Sequence, residues 1–203
     1  MINENIELVA FTGFAQTGKD SATKILEKLG YTRLSFADPV RQGIYNINPL
    51  IIIFPDEFNY EELKEEFIKG SRGNLVLRLK DVVDFLGWDS AKKIPEVRRL
   101  LQYYGTEGIR NILGEDIWIQ IVEKFINHNK LKKVAISDLR FKNELDWVKN
   151  NNGKIIKINR QGVNPINNHI SDRGINDELC DFIINNNNTL VELELKIKEI
   201  LNV

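Results

Sequence analysis

Nine consecutive residues, Gly13-Phe14-Ala15-Gln16-Thr17-Gly18-Lys19-Asp20-Ser21, combine two glycines, a lysine and a carboxylate. Glycine lets the backbone curl so that successive N–H groups point inward, and a lysine at the end of such a loop reaches polyphosphate oxygens as a point charge. The spacing fits G-x-x-x-x-G-K, with Asp20 where Ser or Thr normally offers a hydroxyl to magnesium. The pattern marks Gly13, Ala15, Gln16, Thr17, Gly18, Lys19, Asp20 and Ser21 as phosphate contacts. On charge grounds Asp20 has two evenly balanced readings. Its carboxylate replaces the missing hydroxyl as a Mg²⁺ ligand, or it caps a helix start, where acidic residues are favoured.

Other polar groups fall at places where chemistry is done. Ser137-Asp138-Leu139-Arg140-Phe141-Lys142-Asn143-Glu144 follows the apolar run VAIS, and in α/β sheets ligands gather at the carboxyl ends of strands. Asp138 is so placed to hold the water shell of a metal, and Arg140 to clamp a phosphate bidentately. The plain alternative is a solvated salt bridge. Asp38 and Arg41 follow a second apolar run. Residues 98–118 bring Gln102, Glu107, Arg110 and Trp118 together around Gly105 and Gly108. An amide can read a base edge, an arginine can hold a monophosphate and an aromatic ring can stack on a base, although surface charges around a core tryptophan account for the same residues. Arg160, His169 and Arg173 lie in a polar stretch suited to a lid, with Arg160 favoured because it ends a strand. His128 and His169 form no metal constellation, and Cys180 reads as a small packing residue. The run Asn185–Asn188 carries little meaning by itself.

The elements that must hold these residues follow from periodicity. Residues 6–12 are a short apolar run suited to a strand covered on both faces. Ala22, Ile25, Leu26 and Leu29 recur at helical spacing before Gly30, and residues 31–36 form a second strand. Strand, glycine loop, helix, strand is the βαβ unit of a parallel sheet. Helices are expected over 56–69, 74–86, 95–104 and 116–126, the last burying Trp118, Ile121, Val122 and Phe125. The alternation then resumes with a strand at 134–137, a short helix around Leu145 and Val148, strands at 154–159 and 181–185, and a loop over 160–177. The last helix opens with Thr189 and Glu192 in capping-box spacing, burying Leu190, Leu193, Ile197 and Ile200.

With 203 residues, 42% hydrophobic and 28% charged, the chain suits one ordinary domain. A net charge of -1 gives no support to nucleic-acid or membrane-surface binding. One cysteine excludes an intrachain disulfide and suits a reducing compartment. No apolar run approaches the about 20 residues of a membrane helix, so a cytoplasmic location is expected.

Taken in order, these stretches resemble the bacteriophage-type deoxynucleoside monophosphate kinases, in the P-loop kinase superfamily near adenylate and dephospho-CoA kinases. The resemblance is carried by G-x-x-x-x-G-K-D with Ser21, S-F-A-D-P at 35–39, L-Q-Y-Y-G-T-E-G-I-R at 101–110, Trp118 and D-L-R-F-x-N-E at 138–144. It continues through the strand ending in Arg160, H-I-S-D at 169–172 where H-x-S-E is expected, and I-I-N-N before the last helix. It implies a three-layer P-loop α/β domain with about five parallel strands and a short lid. The core would be 1–38 and 130–203, with a helical acceptor-binding insertion at about 39–129. The implied reaction is ATP + dNMP → ADP + dNDP with Mg²⁺. Lys19 would stabilise the transferred group, Asp20 and Asp138 organise the metal, and Arg140 and Arg160 neutralise charge. Asp38, Arg41, Gln102, Glu107, Arg110 and Trp118 would surround the acceptor. The resemblance tilts Asp20 toward the metal and is compatible with a homodimer. Alternatives are another small-molecule kinase, such as one acting on dephospho-CoA, and a nucleotide-binding protein without transferase activity.

Overall fold

A computed structural model describes residue 2 and residues 6–54, 75–163 and 175–203. In chain order the first elements are β1 (Glu7–Thr12), α1 (Lys19–Lys28), β2 (Thr32–Leu34), α2 (Ala37–Ile47), β3 (Leu50–Ile53) and β4 (Leu75–Arg78). Next come α3 (Leu79–Ala91), α4 (Pro95–Gln102), a π-helical stretch (Tyr103–Arg110) and α5 (Ile117–His128). The chain closes with β5 (Lys133–Ile136), α6 (Lys142–Asn150), β6 (Lys154–Asn159), β7 (Phe182–Asn185) and α7 (Leu190–Leu201). Two compact units result, one of Met1–Ala37 with Glu115–Val203 and one of Asp38–Gly114.

In the first unit β1 occupies the centre of a five-stranded sheet ordered β2-β5-β1-β6-β7. Every pairing in it is parallel. Successive side chains of a strand alternate between faces, and β1 uses both. Val9 and Phe11 pack with Ala22, Ile25 and Leu26 of α1 and with Leu193 and Ile197 of α7. Leu8 and Ala10 pack on the other face with Ile119, Val122 and Ile126 of α5 and with Leu145 and Val148 of α6. Three layers follow directly, because a parallel sheet must be covered on both faces. Tyr31, buried before β2, donates to Glu7 Oε2 at 2.8 Å across the sheet's starting edge. Burial and the Glu7 carboxylate push the Tyr31 hydroxyl above its ordinary pKa, and that hydrogen bond lowers Glu7.

The second unit is built on different lines. β3 and β4 form an antiparallel pair with Leu50 opposite Arg78 and Ile53 opposite Leu75. Their inward residues Ile51, Ile53, Leu75 and Leu77 bury against Val82 and Val83 of α3 and Val97 of α4. The expectation of a helical insertion is corrected in one part. Residues 74–86 are not one helix, because LVLR at 75–78 pairs with LIII at 50–53 before α3 begins. The expected helix over 56–69 lies outside the described residues.

Two further expectations shift. The second unit ends at Gly114, and α5, which follows it, packs on the parallel sheet. Within α5 the buried set is Trp118, Ile119, Val122 and Ile126, whereas Ile121 and Phe125 are 40% and 49% exposed. Both sets satisfy helical spacing, and the sheet selects between them. In α7, Leu193 and Ile197 are buried, Ile200 packs partly against them and Leu190 is exposed. Thr189 caps that helix by accepting from the Glu192 amide at 3.3 Å. Among the described residues no helix is long and apolar enough to cross a membrane.

Candidate active site

The glycine loop leaves the carboxyl end of β1 and enters α1. Gly13 has φ 128° and Gly18 φ 108°, a region that side-chain-bearing residues avoid. Space forbids a side chain as well. A β-carbon on Gly13 would lie 2.3 Å from the Ile158 carbonyl oxygen, and one on Gly18 would lie 2.3 Å from Asn186 Nδ2. Thr17 is buried and its hydroxyl donates to the Phe14 carbonyl at 2.9 Å, closing the loop on itself. Gln16 takes a left-handed φ of 66° and is exposed beside Ala15. Lys19 Nζ arches back to donate to the carbonyls of Gly13, at 2.8 Å, and Phe14. Asp20 is exposed in the first turn of α1, with Ser21 half-buried after it. A curled glycine loop ending at a helix N-terminus is an anion cradle by construction.

Asparagines support this loop from the far edge of the sheet. Asn186 Nδ2 donates to the Thr17 carbonyl at 2.9 Å, while its own amide bonds the Asn159 carbonyl at 2.8 Å. Asn187 Oδ1 accepts from the Gln161 amide at 2.8 Å, fixing the turn after Arg160. The asparagine run that seemed uninformative thus holds both the loop and the end of β6. The signal available was its place at a strand's carboxyl end. Arg160 is exposed at that end.

The strand-end motif after β5 divides its labour. Asp138 Oδ1 accepts from the Phe36 amide at 2.8 Å, and Oδ2 accepts from the Ser35 hydroxyl at 2.7 Å and the Ala37 amide at 3.0 Å. Glu144, buried, accepts from the Arg140 and Phe141 amides and starts α6. Asn143 Nδ2 donates to the Glu115 carbonyl and to Asp116 Oδ1, holding the turn before α5. Lys142 pairs with Asp146 at 2.8 Å. Arg140 is exposed at the start of this motif.

In the inserted unit Arg41 Nη1 pairs with Asp38 Oδ1 at 3.0 Å on the first turns of α2. Gln102 ends α4, and Glu107 and Arg110 lie in the π-helical stretch. Such widened turns are rare and concentrate at functional sites. Two glycines allow α2 to approach this stretch: a β-carbon on Gly43 would lie 2.4 Å from the Tyr104 hydroxyl, and one on Gly105 would lie 3.1 Å from Val40 Cγ1. Trp118 falls in the other unit and is 8% exposed, which leaves little ring face for a base and favours a packing role. His169, Asp172 and Arg173 lie outside the described residues.

Among the described residues no three His, Cys, Asp or Glu side chains cluster as a metal cage. Magnesium needs none, because it is commonly held by one or two carboxylates together with substrate phosphates and water. The exposed Asp20 carboxylate suits that use. Asp138 is already engaged by three donors. Hydrogen bonds to a charged group contribute about 1.5–3 kcal/mol each, so freeing this carboxylate would forfeit more than the ~1 kcal/mol of an ordinary helix cap.

A family model described as deoxynucleotide monophosphate kinase matches residues 59–197, well over half of the chain. This chain belongs to the deoxynucleotide monophosphate kinase family. A putative deoxynucleotide monophosphate kinase of Acanthamoeba polyphaga mimivirus is 26% identical over 199 residues, covering 91% of each chain. The deoxynucleotide monophosphate kinase of Escherichia phage RB69 is 22% identical, over 79% of this chain and 71% of its own length. That of Enterobacteria phage T4 is 30% identical, over 53% of this chain and 46% of its own length. Among solved structures a dephospho-CoA kinase from Campylobacter jejuni aligns over 97% of this chain and 96% of that one, with 16% identity and a TM-score of 0.45. The matched span of the family model begins after the glycine loop, so the loop is identified by its own geometry.

Proposed function

We propose that this kinase of deoxynucleoside monophosphates takes its phosphoryl group from ATP with Mg²⁺, acts in the cytoplasm, and transfers the group to the acceptor's phosphate without a general base. The observation that carries the donor assignment is the loop between β1 and α1, with its two left-handed glycines and Lys19 arched over it. The backbone amides and Lys19 hold the β- and γ-phosphates. Arg140 and Arg160, both exposed at strand ends, neutralise the moving charge. When bound, Mg²⁺ neutralises phosphate charge and orients the transferring group, and Asp20 would hold it. Asp38, Arg41, Gln102, Glu107 and Arg110 contact the acceptor nucleotide. The acceptor oxygen is already anionic at neutral pH, so positioning and electrostatics carry the step.

A panel of deoxynucleoside monophosphates, ribonucleoside monophosphates and dephospho-CoA, assayed by ADP release, tests this reading. Saturable turnover with one or more deoxynucleotides, lost in Lys19→Ala, is the expected result. Turnover with dephospho-CoA alone overturns the acceptor assignment. ATP binding that Lys19→Ala abolishes, with no acceptor phosphorylated by the unaltered chain, leaves a binding protein only.

A further inference from the structure

The parallel register of β2 and β5 sets Leu34 opposite Ile136, and the Ser137 amide donates to the Leu34 carbonyl at 3.0 Å. Two strands leave the sheet side by side there, which delivers the Asp138 carboxylate to residues 35–37. The Ser35 hydroxyl and the Phe36 and Ala37 amides all donate to it. The Ala37 amide is shared with Ser35 Oγ at 3.1 Å, so the serine both donates to the carboxylate and accepts beside it. Ala37 is the first residue of α2. The carboxylate therefore occupies the positive end of that helix, the place an anionic ligand takes at other helices.

We infer that Asp138 is a positioning residue that anchors the first turn of α2, and that it is not a ligand of the metal. Its two oxygens offer about four lone-pair directions, and three donors already take theirs. The two helices that start after β1 and β2 are thereby used differently. The start of α1 faces the glycine loop, whereas the start of α2 is filled by the protein's own carboxylate. The turn that Asp138 holds leads into Asp38 and Arg41, which are paired at 3.0 Å. On the kinase reading, on which the kinetic part of this inference rests, those two residues meet the acceptor, so Asp138 acts on acceptor binding through α2.

Asp138→Asn keeps one accepting oxygen and turns an N–H₂ toward groups that donate. In this variant the KM for the deoxynucleotide is expected to rise about five- to tenfold, while the KM for ATP and the Mg²⁺ concentration for half-maximal rate stay within about twofold. A tenfold or larger rise in the Mg²⁺ requirement, as a metal carboxylate would produce, overturns the inference whatever happens to the KM. Amide hydrogen exchange on the protein free of metal and substrate gives a second readout that needs no activity. Exchange at Phe36 and Ala37 should accelerate in Asp138→Asn, and unchanged protection there overturns the inference even if the substrate panel fails. Should Asp138→Asn prove insoluble, Ser35→Ala retains the carboxylate and removes one donor. It should move the deoxynucleotide KM and the Ala37 exchange in the same direction by a smaller factor, and no movement in either counts against the anchor.

Discussion

Asn186 Nδ2 donates to the Thr17 carbonyl at 2.9 Å, and a β-carbon on Gly18 would come within 2.3 Å of that same nitrogen. The phosphate loop is thus clasped by a residue from the carboxyl end of the edge strand β7, far away in sequence. The clasp fits because Gly18 has no side chain, and the left-handed φ of 108° demands glycine independently.

Gly18→Ala therefore meets two penalties at once, a steric one from Asn186 and a conformational one from φ. Its ATP affinity, measured by calorimetric titration, is expected to fall by about 100-fold or more, while α3 and α4 of the other unit stay folded. Adding Asn186→Ala relieves the clash and restores part of the loss, because the backbone strain remains. ATP binding by Gly18→Ala at the unaltered level would show that the loop does not receive the nucleotide.

Asp20→Asn removes the charge at the start of α1 and keeps the shape. If the carboxylate holds Mg²⁺, turnover falls about tenfold or more and the Mg²⁺ requirement rises, whereas ATP affinity without metal changes little. Initial rates across a Mg²⁺ series, with metal-free ATP binding as the reference, read this directly. An unchanged turnover and metal profile would leave Asp20 as a helix cap, with an effect confined to about 0.3–1 kcal/mol of stability.

Gly43→Ala drives a methyl into the Tyr104 ring, whose hydroxyl, Cε1 and Cζ would lie 2.4, 2.9 and 3.0 Å from it. Since α2 bears Arg41 and the facing stretch bears Arg110, the variant should raise the deoxynucleotide KM several-fold and leave the ATP KM near its starting value. Gly43→Ala with Tyr104→Leu removes the colliding atoms and should recover most of the loss. A defect that the second substitution fails to relieve would place its origin elsewhere in α2.

The parallel sheet and its first helix were legible because local pattern and tertiary context agree there. The apolar run at 6–12, the helix from Lys19 and the strand at 154–159 emerge close to where periodicity puts them. The strand at 75–78 was missed because four residues of LVLR suit a helix or a strand, and only pairing with residues 50–53 decides. In α5 apolar residues occupy most of the circumference, so spacing fits Ile121 and Phe125 as well as Ile119 and Ile126. Among site residues, the loop could be read from its glycines. The clasp by Asn186 and the anchoring of α2 by Asp138 could not, because each joins residues more than 100 positions apart. In the motif at 138–144 the sequence pointed to Asp138 and Arg140, whereas the turn-holding contacts of Asn143 and Glu144 emerge only in the structure.

The placement of β1 has a consequence for how the protein is made. Its neighbours in the sheet are Lys133–Ile136 and Lys154–Asn159, so this strand leaves the ribosome and waits for partners encoded after the whole inserted unit. At about 5–20 residues per second this delay is on the order of 10 s. During it Val9 and Phe11, later fully covered, are exposed on an unpaired strand. Within the unit of Asp38–Gly114, β3 and β4 pair with each other and can form in the meantime. Birth order therefore runs opposite to the order of pairing: the inserted unit is synthesised before the central strand of the parallel sheet can find its neighbours.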